Sequence, residues 1–227
     1  MQEHNIIGSL KKDRDEVKRE VLASIESKKA LMSFELLGRS LAYNTFPPRL
    51  SYQESVEEVF KDGVKVALLG EEFLEEFFKN AEVSSVDAFK NLTRQDRFES
   101  LIIDSLDCID YIGMFRRLSP YFLIAGGINL DPYQVLEATI AGSDGILFDL
   151  SYIDSKKLLN DLVAFSLSLG LMPVLKIDSK KDLKLLLGLK NPVDCLYVPS
   201  SLVSLVPKRY IIFSEDYLKA DAFIEVF

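Results

Sequence analysis

The sequence predicts an α/β protein in which eight parallel strands close into a barrel, preceded by an N-terminal helical extension. From Val64 onward, short apolar runs alternate with amphipathic helical patterns, which is typical of a parallel sheet with crossover helices. The number of such runs is eight, the strand number of a (β/α)8 TIM barrel. An open doubly wound sheet would give a similar alternation, so the strand count is what favours closure. The strands are predicted at residues 64–69, 101–104, 121–125, 145–149, 173–177, 194–198, 210–213 and 222–226.

Residues 1–60 are predicted to form the helical extension, and residues 64–227 the barrel, within one domain. A chain of 227 residues is long enough for one such domain with a buried core. Residues 1–30 carry apolar side chains near helical spacing, at Ile6, Leu10, Val17, Val21 and Ile25. The paired prolines Pro47 and Pro48 then force an extended turn, and residues 51–60 predict one short helix.

The third and fourth crossover helices have clear boundary signals. Asp131 can cap the third helix, Gln134 completes a capping-box pattern, and Gly142 ends the helix. The fourth helix is predicted over residues 154–169. The sequence stops at Phe227, directly after the eighth strand, so the barrel is expected to be truncated there, with no final helix. A phosphate site of the kind that barrels build after strands seven and eight would lack that helix.

Composition excludes several classes of function. The net charge of −8 opposes the phosphate backbone, so nucleic acid is not an expected partner. No apolar run reaches the roughly 18 residues of a membrane span, and the N-terminus lacks the apolar core of a signal peptide. Cys108 and Cys195 fit no metal-ligand spacing, and Cys195 is expected to be buried inside the sixth strand. These features predict a cytoplasmic protein. His4 is the only histidine, so histidine catalysis and histidine-based metal sites are not expected. We expect no metal and no cofactor.

One stretch near the middle of the chain resembles a known enzyme family. Residues 129–138 read Asn-Leu-Asp-Pro-Tyr-Gln-Val-Leu-Glu-Ala, and residues 141–147 read Ala-Gly-Ser-Asp-Gly-Ile-Leu. These strings resemble the third helix and fourth strand of indole-3-glycerol phosphate synthases. Residues 6–17 resemble that family's first helix, and the Phe-Pro-Pro-Arg string of residues 46–49 resembles its approach to the barrel. The resemblance covers most of the chain in order and is strongest over residues 121–149.

The resemblance implies an enzyme that closes and decarboxylates an anthranilate-derived ribulose phosphate to form the indole ring. That reaction needs a general acid, usually a lysine, carboxylates that stabilise developing positive charge, and a phosphate anchor. Many of the family's positions hold other residues in this sequence. The Glu-x-Lys pair of the family's first strand falls on Leu68 and Gly70, and the lysine of its third strand falls on Gly126.

The later strands depart from the family pattern as well. The glutamate of the fifth strand falls on Lys176, which reverses the charge. The Asn-x-Arg of the sixth strand falls on Val198 and Ser200. From the seventh strand's Glu-Ser-Gly only Glu215 persists, and Tyr217 replaces a glycine that would let the backbone approach phosphate. The resemblance therefore implies membership of the family without implying its activity.

Charged residues nevertheless follow several predicted strands, at Asp104, Asp149, Lys176, Asp178, Glu215 and Glu225. Because barrels place their chemistry at the carboxyl ends of strands, Lys176 and Glu215 are the candidate catalytic residues, with Lys176 as an acid or Schiff-base amine. The candidate substrate-binding residues are Gly126, Gly127, Asp149 and Asp104, with the two glycines as a phosphate cradle. The alternative is a solvated rim of charges and a tight turn at the glycines. No phosphate-binding element accompanies the lysine, which favours this alternative.

Several aromatic residues have both a packing and a functional interpretation. Phe73, Phe77 and Phe78 lie among glutamates and could form an exposed docking face, but such a stripe more often faces the core. Tyr133 and Tyr152 lie near predicted strand ends and could stack on an aromatic ligand. Packing is the favoured interpretation for both.

Three hypotheses for function follow. The leading one is a degenerate family member that has lost the lyase reaction and acts as a binding or regulatory protein. The second is a still active indole-3-glycerol phosphate synthase, a carboxy-lyase of tryptophan biosynthesis. The third is another sugar-phosphate or carbonyl enzyme that uses Lys176. The expected partners are a small sugar-phosphate-like ligand or another protein, and the oligomeric state stays open.

Overall fold

A computed structural model describes residues 13–59, 64–79, 98–216 and 218–227. Within these residues, parallel strands form a closed barrel in chain order, in which the eighth strand pairs back onto the first. This confirms the TIM barrel and each predicted strand, with no boundary more than one residue from its prediction. The strands are β1 (Val64–Gly70), β2 (Ser100–Asp104), β3 (Phe122–Ala125), β4 (Gly145–Asp149), β5 (Met172–Lys176), β6 (Cys195–Tyr197), β7 (Ile211–Ser214) and β8 (Ala222–Val226).

The helices of the described residues surround this barrel or precede it. They are α1 (Arg14–Leu31), α2 (Phe34–Ser40), α3 (Tyr52–Glu54), α4 (Glu71–Lys79), α5 (Cys108–Leu118), α6 (Pro132–Ala141), α7 (Lys156–Ser168) and α8 (Lys180–Leu186). The predicted capping box of Asp131 and Gln134 is present on α6, and Gly142 ends that helix at a φ of 99°. None of the helices described here is both long and apolar enough to cross a membrane.

Strand alternation divides the core into two layers. One side chain in two points into the barrel, where Val66, Ile102 and Phe213 belong to a buried inner cluster that also contains Cys195. The intervening side chains face the helices and form a larger outer cluster. The predicted burial of Cys195 is therefore confirmed, and so is the half-buried packing of Phe77 and Phe78 against the outer cluster.

The N-terminal extension holds both ends of the barrel. Helix α1 buries Val21 and Ile25 and pairs Lys18 with Asp154, at 3.0 Å, in the loop after β4. At the opposite end, the hydroxyl of Tyr52 donates to Asp194 just before β6, at 2.5 Å. The short helix predicted over residues 51–60 appears as α3, followed by a π-helix at Ser55–Val59, and residue 60 lies outside the described residues. Residues 1–12 of the predicted first helix also lie outside them.

A buried carboxylate fastens the extension to the barrel. Asp144 has a fully buried side chain directly before β4. It accepts hydrogen bonds from the backbone N–H of Arg49 (2.7 Å) and from the guanidinium groups of Arg49 (2.5 Å) and Arg116 (2.9 Å). A fourth bond, of 3.0 Å, comes from the backbone N–H of Leu123 at the start of β3. The ion is thus fully paired, as a buried charge must be.

We expect Asp144→Ala to lower the free energy of unfolding by about 3–5 kcal/mol, because two buried or half-buried arginines would lose their counter-ion. Urea denaturation followed by circular dichroism measures this loss. Asp161→Ala serves as the control, since Asp161 is exposed on α7 and forms no ion pair within the described residues. Equal stabilities of the two variants would contradict the assigned role of Asp144.

Candidate functional site

The mouth of the barrel collects polar side chains from the ends of four strands. Alternation along β2, β4 and β5 points Asp104, Asp149 and Lys176 inward at the carboxyl ends, where barrel enzymes hold their reacting groups. Glu215 follows β7 with the same inward parity as Phe213. The structure therefore brings together four of the predicted candidates. Glu225 is different, because it alternates with the inner residue Ile224 and faces away from the interior.

An ion pair dominates this mouth. The ammonium of Lys176 lies 3.0 Å from Asp149 and 3.8 Å from Asp178. The other oxygen of Asp149 accepts the backbone N–H of Ser151 at 2.9 Å. Burial alone would lower the pKa of Lys176, but the charges of Asp149 and Asp178 outweigh it and raise that pKa above its ordinary value. At neutral pH the lysine is thus a protonated cation with an internal counter-ion.

The two glycines after β3 lie hard against the end of β2. A Cβ atom at Gly126 would come within 2.7 Å of the carbonyl oxygen of Ile103 and 2.9 Å of the Cα of Asp104. Gly127 adopts a φ of 71°, and a Cβ there would clash with the carbonyl oxygen of Ser105. The backbone N–H of Gly127 donates to Asp104 at 2.9 Å. This N–H therefore already has an anionic partner from within the chain.

The sixth and seventh strands contribute a second polar pair. The hydroxyl of Tyr197 donates to Glu215 at 2.8 Å, and burial together with this carboxylate raises the pKa of Tyr197. Val198, onto which the family's asparagine was aligned, packs in the outer cluster instead. The inward position before it is Tyr197, which the sequence interpretation missed. Counting alternate residues from Cys195 would have found it. Tyr217 lies outside the described residues.

Two of the hollows at this end of the barrel have acidic linings. The first has a volume of about 230 Å³ and is lined by Glu71, Asp104 and Asp149 against one cation, Lys176. The second, of about 490 Å³, lies beside the ends of β6 and β7 and is lined by Pro199, Ser200, Glu215, Asp216 and Leu218. Its lining thus has two carboxylates and no cation. Both hollows oppose the approach of an anion such as a phosphate ester.

The first strand presents no ionisable group to the mouth. Leu68 belongs to the inner cluster, and Gly70 follows it with the same parity. The backbone N–H of Gly70 donates to the carbonyl of Phe227 at 3.2 Å, which extends the pairing of β1 with β8. The two predicted tyrosines differ: Tyr152 lines the first hollow, whereas Tyr133 is not among its lining residues. Tyr133 is buried and donates to the carbonyl of Met32 at 3.1 Å, and Tyr152 packs at the edge of the outer cluster.

Fold and mouth together define a TIM-barrel protein with a candidate site at the carboxyl ends of its strands. No known family profile matches the chain, but curated relatives do. An indole-3-glycerol phosphate synthase of Campylobacter hominis is 30% identical over 180 residues, which cover 74% of this chain and 66% of that relative. One of Campylobacter jejuni subsp. jejuni is 26% identical, covering 93% of this chain and 87% of that relative. The alignment to the first relative thus spans just under two thirds of its length.

Among solved structures, 3-hexulose-6-phosphate synthase from Salmonella typhimurium superimposes with a TM-score of 0.53 over 72% of this chain and 88% of that one. Its sequence is 11% identical, so this likeness concerns the fold alone. Together with the curated relatives, the matched strings of residues 129–147 identify the chain. It is a divergent member of the indole-3-glycerol phosphate synthase family.

We expect Lys176→Met to lower the free energy of unfolding by about 1–2 kcal/mol at neutral pH, between the values for exposed and fully buried ion pairs. The reason is that Asp149, which is only 8% exposed, would lose its cation. Chemical denaturation measures the change. Lys157→Met is the matched control, because Lys157 is exposed and unpaired among the described residues. Equal losses in the two variants would argue against a stabilising pair.

The same pair predicts a pH dependence with a definite sign. The folded-state pKa of Lys176 lies above its ordinary value of 10.5. The stability that the pair contributes is therefore complete below that ordinary value and is lost as the pH rises through the folded-state pKa. The difference in stability between the wild type and Lys176→Met should stay constant at neutral and mildly alkaline pH and shrink only above pH 10.5. If the difference in stability shrinks only on acidification, and not above pH 10.5, the stabilisation comes from a group other than Lys176.

Proposed function

We propose that this chain no longer catalyses the indole-forming reaction of its family and acts as a binding or regulatory protein. The observation that carries the proposal is the packing at Gly126, the position of the family's general-acid lysine. Its backbone lies so close to Ile103 that no side chain fits there without a shift of β2 or β3. The loss of a general acid lowers the rate of a reaction by about 10²–10⁴. The close packing at Gly126 means that the backbone around this position, and not only the side chain, leaves no room for a lysine.

The charge of the mouth supports the same proposal. The substrate that the family resemblance implies carries a carboxylate and a phosphate, and the charged residues that line both acidic hollows are mainly carboxylates. The available cation, Lys176, already has Asp149 as its counter-ion. Binding an anionic substrate would require breaking that pair, which opposes tight binding. These features favour retention of the fold with a different use of the mouth.

A Schiff-base enzyme built on Lys176 is less well supported. An amine nucleophile needs a depressed pKa so that the free amine is populated at neutral pH. The carboxylates around Lys176 raise its pKa instead. A still active synthase is the second candidate, and it is favoured by the activity for which the Campylobacter relatives are named.

The decisive experiment is a synthase assay of the purified chain, with the Campylobacter hominis synthase as the positive control. We expect no indole-3-glycerol phosphate above the uncatalysed rate, because the acid, the phosphate anchor and the charge-stabilising groups other than Glu215 differ from the family pattern. A thermal-shift titration with inorganic phosphate should likewise show no saturable stabilisation at millimolar concentration. Product formation that depends on the amount of protein would refute the proposal.

Restoring the lysine should not restore activity. We expect Gly126→Lys to lower the free energy of unfolding by about 1–3 kcal/mol, as overpacked sites do, and to leave the synthase rate unchanged. Denaturation and the same assay measure both quantities. Gly113→Lys is the control for stability, because the nearest atom to a Cβ there is the flexible end of Arg117 at 3.6 Å. A stable and active Gly126→Lys variant would show that the site needs only its general acid.

A further inference from the structure

A second concave surface lies at the opposite end of the barrel, where β6 and β7 begin. We call it the basal groove. It has a volume of about 350 Å³ and is bounded by the segment from Leu186 to Asp194 on one side and by Arg209 and Tyr210 on the other. Because parallel strands begin at one end of the barrel and finish at the other, this groove is separate from the mouth. Its properties therefore do not depend on the fate of the family's reaction.

The basal groove is basic on an acidic protein. Lys190 and Arg209 line it, and Lys208 precedes Arg209 in the chain; all three side chains belong to exposed residues. None of the three forms an ion pair with any residue in the described ranges. The chain as a whole carries a net charge of −8. The carboxylate among the lining residues, Asp194, accepts the hydroxyl of Tyr52.

Arg209 is held in place by its neighbour. Its guanidinium donates to the hydroxyl of Tyr210 at 2.6 Å and lies 4.7 Å from the centroid of the Tyr210 ring. Tyr210 itself is only 6% exposed, so its ring has a fixed position against which the guanidinium packs. A guanidinium held in this way loses less side-chain entropy when it forms a bidentate pair with a carboxylate.

The groove also has an apolar part. Leu187 is 69% exposed, and it stands beside the more buried Leu186 and Leu189 in the wall. An inorganic anion could bind the cations of the basal groove, but it would leave the exposed surface of Leu187 in contact with water. The groove is a good match for a peptide that alternates acidic and apolar side chains, because each kind of side chain then finds its complement.

We propose that the basal groove docks an acidic segment of a partner protein, with an apolar side chain against Leu187 and carboxylates on Lys190, Lys208 and Arg209. Charge complementarity is the basis for this choice of occupant. A nucleic acid would satisfy the cations but leave the leucine wall uncovered, and it would meet the overall charge of −8. The proposal thus assigns a protein-binding surface to the end of the barrel away from the mouth.

The test is fluorescence anisotropy of a labelled peptide built from glutamate and leucine pairs, titrated with the full chain. We expect saturable binding that weakens with added salt, because the contacting charges are exposed. The double variant Lys190→Glu/Arg209→Glu should reduce the affinity about tenfold or more. Lys79→Glu is the charge control, because Lys79 lies on α4 between β1 and β2 and should leave binding unchanged.

The apolar contact with Leu187 is tested separately. Leu187→Ser should weaken peptide binding, whereas Leu36→Ser, at a 56% exposed leucine on α2, should not. Both positions are exposed, so neither substitution should unfold the protein. Binding of a glutamate–serine peptide with equal affinity, or loss of binding in the Lys79→Glu control, would overturn the proposal. Tighter binding of a single-stranded oligonucleotide than of the peptide would assign the groove to nucleic acid instead.

Discussion

The hydrogen bonds of the Asp144 carboxylate are the interactions on which the attachment of the N-terminal extension to the barrel depends. The carboxylate is completely buried at the start of β4. It binds Arg49 of the N-terminal extension, Arg116 of helix α5 and the backbone of Leu123 in strand β3. A buried charge is tolerable only when all of its partners are present. The extension and the barrel therefore stabilise each other through this carboxylate, and the family resemblance is strongest around this position.

The two ends of the barrel constrain their side chains to different degrees. The end near Asp144 and Asp194 is tied by buried hydrogen bonds, so substitutions there threaten the fold. At the mouth, side chains face solvent and a ligand, and their loss leaves the core intact. At the mouth, charged side chains have partners within the chain, in the pair of Lys176 with Asp149 and the pair of Tyr197 with Glu215.

Much of the fold could be predicted from local patterns. Short apolar runs marked the strands within one residue, since a strand that is buried on both faces has a nearly continuous apolar sequence. Capping residues marked α6 in the same way, because the unpaired N–H groups of a helix end need an acceptor nearby in sequence. The resemblance of residues 129–147 added the family. The candidate site was harder to predict, because strand register decides which residue of each strand faces inward. One slip exchanged Tyr197 for Val198, and Glu225 proved to face away from the interior.

The sequence by itself determined the barrel, the family and the identity of the residues at the strand ends. Only the tertiary structure decided that Lys176 is already paired, that Gly126 has no room for a side chain, and that Asp144 links distant segments. The physical reason is distance along the chain. Local patterns depend on neighbours within a few residues, whereas these contacts join residues 21 to 95 positions apart. Charge pairing and steric room are set by that long-range packing.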